Sequence, residues 1–191
     1  MACLISHGRT EQCKDSISGI QAIYLVNFGD FDPDPSTVGG DVTYDTTVGY
    51  EDQITAIGGT INNLYKYELK GNNGFNTTVN TSRENGTTFF TQTITCELKR
   101  QDPVFHKQFK ILAYGRPHVI VRTNGNQFFL AGLYRGCDAT AGSIESGVAY
   151  GDFNGYKITF EGMEEKPANF LDAASEADLL TLLGSPTLVT T

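Results

Sequence analysis

Three aspartates stand in alternate positions, Asp30, Asp32 and Asp34, within an Asp-Phe-Asp-Pro-Asp-Pro run. Carboxylates spaced in this way can converge on a hard cation such as calcium. The rest of a calcium loop is missing, because the sixth position has no glycine and the twelfth no glutamate, with Gly39 off register and Asp41 too short. An exposed acidic loop is therefore expected, and no metal. The histidines His7, His106 and His118 each lack a second histidine at ligand spacing. A serine or cysteine nucleophile would need a base and an oriented partner, and the chain has no G-x-S-x-G elbow. The glycines from Gly147 to Gly155 lack the Gly-Lys of a phosphate-cradling loop. These patterns nominate no catalytic residue, no metal ligand and no cofactor, and the chain is not expected to be an enzyme.

Positive charge gathers at Lys99-Arg100 and again at Lys107, Lys110, Arg116 and Arg122. One reading is a solvated helix face. The other is an electropositive side, Lys107, Lys110, Arg116 and Arg122, that meets the acidic loops of a neighbouring copy, as suits subunits associating head to tail in a ring or filament. The four cysteines, Cys3, Cys13, Cys96 and Cys137, are far apart with no C-x-x-C pair, which argues against zinc and against a disulfide framework.

The elements that would position these groups are mostly strands. Ile20 to Phe28 is β-branched and aromatic and ends at Gly29, the pattern of a buried strand. From Asp30 to Gly49 prolines and glycines predict a long loop or flexible hairpin, and loops of that length are commonly binding surfaces. Strands are expected at Gln53 to Ile57, Asn63 to Leu69, Phe75 to Ser82 and Thr87 to Arg100; in the last, Phe90, Gln92, Ile94, Cys96 and Leu98 share one face and Phe89, Thr91, Thr93, Thr95 and Glu97 the other. Asp102 as N-cap, Pro103 behind it and apolar residues three and four apart predict a helix packed on the sheet over about 102–114. Asn124-Gly125 predicts a two-residue hairpin between Pro117 to Thr123 and Asn126 to Leu130. Gly132 to Gly151 reads as a connection to a last strand, Tyr156 to Glu161. Ser175 to Asp178 resembles a capping box before a short helix ending at Gly184. The fold class expected is mainly β, an antiparallel β-sandwich or small barrel, with an N-terminal arm (1–19), a central domain (20–168) carrying an extended loop (30–52), and a C-terminal arm (169–191).

At 191 residues the chain can bury a real core as one domain. It has no long apolar run and no basic-then-apolar leader, so neither a membrane span nor an export signal is expected, and synthesis in a cytoplasm is. That setting makes the triplets at Asn76, Asn80 and Asn85 chance matches to a glycosylation signal. A net charge of −8 excludes a groove that clamps nucleic acid by neutralising phosphates.

The order of elements resembles that of structural proteins of tailed phages, tail tube proteins in particular. The likeness lies in Val121 to Gly132, through Thr123-Asn124-Gly125-Asn126 and Phe128-Phe129-Leu130-Ala131, in Gly147-Val148-Ala149-Tyr150-Gly151-Asp152-Phe153-Asn154-Gly155 and its continuation to Gly162, and in the opening from Gly8-Arg9 to Gly19-Ile20. It covers roughly residues 85 to 170. The resemblance implies a virion protein made in a host bacterium. Six copies would close their sheets into a ring, and rings would stack into a tube through which genomic DNA passes without specific binding. It also implies contacts with baseplate or hub, terminator and sheath proteins. Asp30, Asp32, Asp34, Tyr44 and Tyr50 would then belong to the loop that touches the next ring, and an acidic wall would let DNA slide.

The same fold is used by tail terminators, head-tail connectors and inner tubes of injection machines, and these readings stay open beside the tube. A carbohydrate-binding β-sandwich is the alternative of a different class. Tyr44, Tyr50 and Phe75 are its candidate aromatic contacts, and the absence of Trp counts against it.

Overall fold

The computed structural model describes residues 7–11, 13, 14, 16–34 and 40–190. Met1 to Ser6, Pro35, Gly39 and Thr191, which belong to the expected arms and loop, lie outside them. The described chain forms two sheets and two helices, the mainly β sandwich expected. None of its helices is long and apolar enough to cross a membrane.

Strand β1 (Ile20–Val26) is buried at every position but Gln21 and is flanked by β4 (Asn63–Glu68) and β7 (His118–Thr123). A strand apolar on both faces must be covered on both, and here it is. Ala22, Tyr24 and Val26 face one core cluster with Ile54, Leu64, Ile120 and Leu130, while Ile23 and Leu25 face another with Val119, Ile94, Cys96, Ile158 and Phe160. The second cluster lies between the eight-stranded sheet and a four-stranded sheet of β5 (Gly74–Ser82), β6 (Thr87–Lys99), β10 (Gly155–Glu164) and β9 (Asp138–Glu145), in that spatial order. Helix α1 (Pro103–Leu112) packs against this cluster. The Asp102 carboxylate accepts the Phe105 N–H at 2.9 Å, and Phe105 meets Tyr67 and Tyr156 edge-on at 5.4 and 4.8 Å.

Four expectations are corrected. The large sheet is mixed: β11 (Asn169–Leu171) runs parallel to β3 (Ile54–Ile57), and β12 (Thr187–Val189) parallel to β4. The span 169–190 is thus no free arm: β11 lies between β8 (Phe128–Ala131) and β3, and α2 (Glu176–Leu182) puts Leu179 and Leu182 into the first core. The loop 30–52 contains a strand, β2 (Val42–Tyr44), paired with β3. The hairpin at Asn124-Gly125 has three loop residues, because Thr123 bonds Gln127 and the left-handed residue is Asn126, at φ 58°. Asparagine tolerates that conformation, and a turn closed by an αL residue suits strand twist as well as the two-residue form.

Helix α2 is held to the sheet through Glu176. Its carboxylate accepts from the Tyr24 hydroxyl and from the Lys66 ammonium, both at 2.7 Å. Burial pushes the Glu176 carboxyl upward, but the Lys66 and Tyr24 bonds outweigh it and hold the group below the ordinary range. A carboxyl lowered in the folded state adds stability above its unfolded value, and that stability is lost as pH falls through the folded value. Glu176→Gln should therefore cost on the order of 1 kcal/mol at neutral pH, discounted for partial exposure. The deficit should vanish in acid below the carboxylate range, as urea titrations at pH 7 and pH 3 would record.

Candidate self-assembly surface

Among the described residues the four-stranded sheet is open at both sides: β5 pairs only with β6, and β9 only with β10. These edges are long, nine and eight residues. A long unpaired edge is a template for another strand, and isolated proteins usually blunt it with charge, proline or a cover. Neither β5 nor β9 contains a lysine, arginine or proline, and the two charges of β9, Asp138 and Glu145, stand at its ends.

The hydrogen-bond phase of each edge follows from one contact. Arg100 donates its N–H to the Asn154 carbonyl at 2.7 Å. Even-numbered residues of β10 therefore bond toward β6 and odd-numbered ones toward β9, since bonds alternate sides along a strand. Gly155 and Lys157 oppose Glu145 and Ser143, so Ser143 and Glu145 spend their backbone groups on β10. Ile144 between them points its N–H and C=O at the free edge, with its side chain 42% exposed.

The face of this sheet turned away from the core is mostly polar, with Phe89 and Met163 as its exposed apolar residues. It carries Asn76, Thr78 and Asn80 from β5, Thr91, Thr93, Thr95 and Glu97 from β6, Thr159 and Glu161 from β10, and Asp138 and Ser143 from β9. Its charged residues are Glu97, Asp138, Glu145 and Glu161 against Lys99 and Lys157, a net of −2, with Lys157 paired to Glu145 at 3.0 Å. Asp138 and Glu161 stand directly opposite each other on neighbouring strands. Like charges so placed are destabilising by a few tenths of a kcal/mol up to about 1 kcal/mol.

The residues nominated from sequence are scattered rather than gathered. Asp30 accepts the Thr60 N–H through its carbonyl, and Asp32 is tied to Asp41 by backbone and carboxylate bonds of 3.0 and 2.7 Å. Together with Phe28, Phe31 and His118 they line a depression of about 510 Å³. Asp34 donates its N–H to Asp32 at 3.0 Å. Tyr44 is half-buried with Lys166 over its ring at 5.4 Å, whereas Tyr50 is exposed. A single projecting loop does not describe these residues. The proposed basic face divides too. Lys107 and Lys110 are exposed on α1, and Arg116 lies over Phe28 at 4.8 Å. Arg122 alternates with Val121 on β7, so it points to the opposite side of the large sheet from α1, over Phe128 and onto Asn126 at 2.8 Å. Strand alternation separates what linear proximity had grouped.

Among the described residues no three of His, Cys, Asp or Glu are grouped to hold a metal. His118 Nδ1 lies 2.7 Å from the Gly132 carbonyl, so that nitrogen carries the proton, and the ring is packed against Phe28 and Phe31. Burial holds His118 below the ordinary range. Burial also pushes the Cys96 thiol up to about 12 and the Cys137 thiol upward, far from a reactive thiolate. No family model, curated protein or solved structure matches the chain.

Strand β9 is the edge element that pattern reading missed, inside the expected connection 132–151. Its inward residues include Ala139 and Gly142, and its sequence Asp-Ala-Thr-Ala-Gly-Ser-Ile-Glu has almost no hydrophobic amplitude at period two. Gly142 is there because Phe109 of α1 fills the place a Cβ would take, 2.8 Å from its ring.

Proposed function

We propose that the protein is a tail tube subunit of a tailed phage, forming hexameric rings whose four-stranded sheets join edge to edge into one barrel around a DNA channel. The observation that carries this reading is the stagger of the two open edges. Through the pairings, β5 lies alongside Thr87 to Thr95 of β6, while β9, projected across β10, lies alongside Thr93 to Lys99. The midpoints, Thr91 and Cys96, are five residues apart. That is about 17 Å along the strand, and with β9 of one copy laid midpoint to midpoint on β5 of the next it is spread over four strand spacings, about 19 Å. The angle it defines, about 41°, falls within the roughly 35–45° by which strands tilt in closed barrels. Equal strand directions at both ends would make each junction parallel, but here β5 and β9 run oppositely, so each junction between copies continues the antiparallel alternation.

Six copies with strands about 4.8 Å apart at that tilt give a barrel about 50 Å across between backbones, wide enough for duplex DNA after side chains line it. The polar, net acidic face would be its inner wall, repelling phosphates rather than holding them. Baseplate, terminator and sheath proteins would meet the ends and outside of the tube. A terminator, connector or injection-machine tube could use the same closure. The glycan-binding reading has one observation behind it, a groove of about 670 Å³ with Tyr50, Phe75, Phe129 and Phe170 in its wall.

Negative-stain microscopy at rising protein concentration tests the proposal. Rings or tubes with an open channel of the size above are expected. A monomer at every concentration would overturn the reading and leave the aromatic groove as the feature to probe with sugars.

A further inference from the structure

The most exposed apolar side chains of the described molecule sit together at the tip of the β9–β10 hairpin: Val148 and Tyr150 have relative exposures of 102% and 112%. The tip is nevertheless built. Asp152 accepts the N–H groups of Val148 and Ala149 at 2.9 and 2.7 Å, and Gly147 is in the left-handed region at φ 71°, where a Cβ would strike Asp152. A rigid loop presenting two bare apolar side chains is a docking element rather than a solvated turn.

We propose that this tip seats on the next copy of the chain, in the depression of about 1140 Å³ bounded by Ile17 to Ile20, the Gly71–Gly74 turn and the Asn124–Gln127 hairpin, with Phe75 and Phe129 in its wall. The inference rests on the ring reading, and two observations select that occupant. The tip and the depression lie at opposite edges of one sheet, so a tip cannot enter its own depression. The five-residue stagger, closed into a barrel, slides the next copy's β5 until Phe75 stands near Glu145, which puts the tip directly below at Asn72 to Gly74. Charge does not oppose the contact, because the lining of the depression carries no charged side chain and the carboxylate at the tip, Asp152, is bonded within its own loop. The contact is heterologous, tip to depression, which generates a closed ring or a helix and not an isolated two-fold dimer.

Two variants at exposed positions test it, Tyr150→Asp on the tip and Gln127→Trp in the depression, studied by sedimentation velocity alone and in an equimolar mixture. Loss of the aromatic anchor in one variant and a ring filling the depression in the other should each raise the concentration needed for assembly about tenfold or more. In the mixture one intact tip meets one intact depression, so dimers should form and growth should stop there. Either variant assembling at the wild-type concentration, or a mixture that stays monomeric, would overturn the contact while wild-type rings leave the tube reading standing. Wild-type protein that never assembles would overturn both.

Discussion

Ile144→Pro should leave the monomer folded and abolish ring formation. Proline removes one backbone donor and fixes φ near the extended range, so its effect depends on where the lost N–H pointed. At Ile144 it pointed out of the sheet, away from β10, and the side chain is already exposed. Within the monomer nothing bonded is lost, and the preceding Ser143 is already in a strand, the conformation proline demands of its neighbour. At the junction with β5 of the next copy the ring loses a ladder bond and meets a pyrrolidine in the pairing path. A penalty of about 3 kcal/mol per junction corresponds to more than a hundredfold rise in the assembly concentration. Ser143→Pro is the contrast: its N–H is spent on β10, so it should lower the unfolding midpoint of the monomer itself. Circular dichroism melts with sedimentation velocity separate the two. Equal damage to fold and assembly by both variants would mean that the outer edge of β9 is not an interface.

The parts of this surface that were legible in sequence are those where one physical signal acts alone. Alternation in β6 assigned Ile94 and Cys96 to the core and Thr93, Thr95 and Glu97 to the far face, and the structure places them so. Asp102-Pro103 marked the start of α1, and its carboxylate caps Phe105 as that pair of residues implies. What stayed hidden was set by partners distant in the chain. β9 is a strand because Gly142 yields to Phe109 and because β10 offers an edge, neither of which local hydrophobicity reports. The span 169–191 looked like an arm because β11 and β12 are only three residues each; their place is fixed by pairing with strands more than thirty residues away. The basic cluster dissolved because Arg122 sits on the strand face opposite Val121. Asp30 and Asp32 were expected in one exposed acidic loop, and what local sequence did not report is that their backbones are tied to Thr60 and Asp41.

Reversing the charge of the far face should turn an indifferent channel into one that grips DNA. The double variant Glu97→Lys with Glu161→Lys moves the face from net −2 to +2 per subunit, since each replacement changes the charge by two. The fold should tolerate it. A lysine at 161 would face Asp138 and relieve the present acid–acid opposition, offsetting the repulsion a lysine at 97 would meet from Lys157 across the strand pair. The Glu97 N–H bond to Asn73 belongs to the backbone and survives. Around a hexamer the change is multiplied sixfold on a concave wall, where like charges focus the field. Wild-type tubes should not retain duplex DNA in co-sedimentation. The variant tubes should, with affinity falling linearly in log salt at a slope of about −0.9 for each phosphate neutralised. The uncharged pair, Glu97→Gln with Glu161→Gln, brings the face to zero and should bind weakly if at all. Wild-type tubes that already hold DNA tightly would mean that this acidic face does not line the channel, and the sheet would then have to close with its threonine-rich side outward.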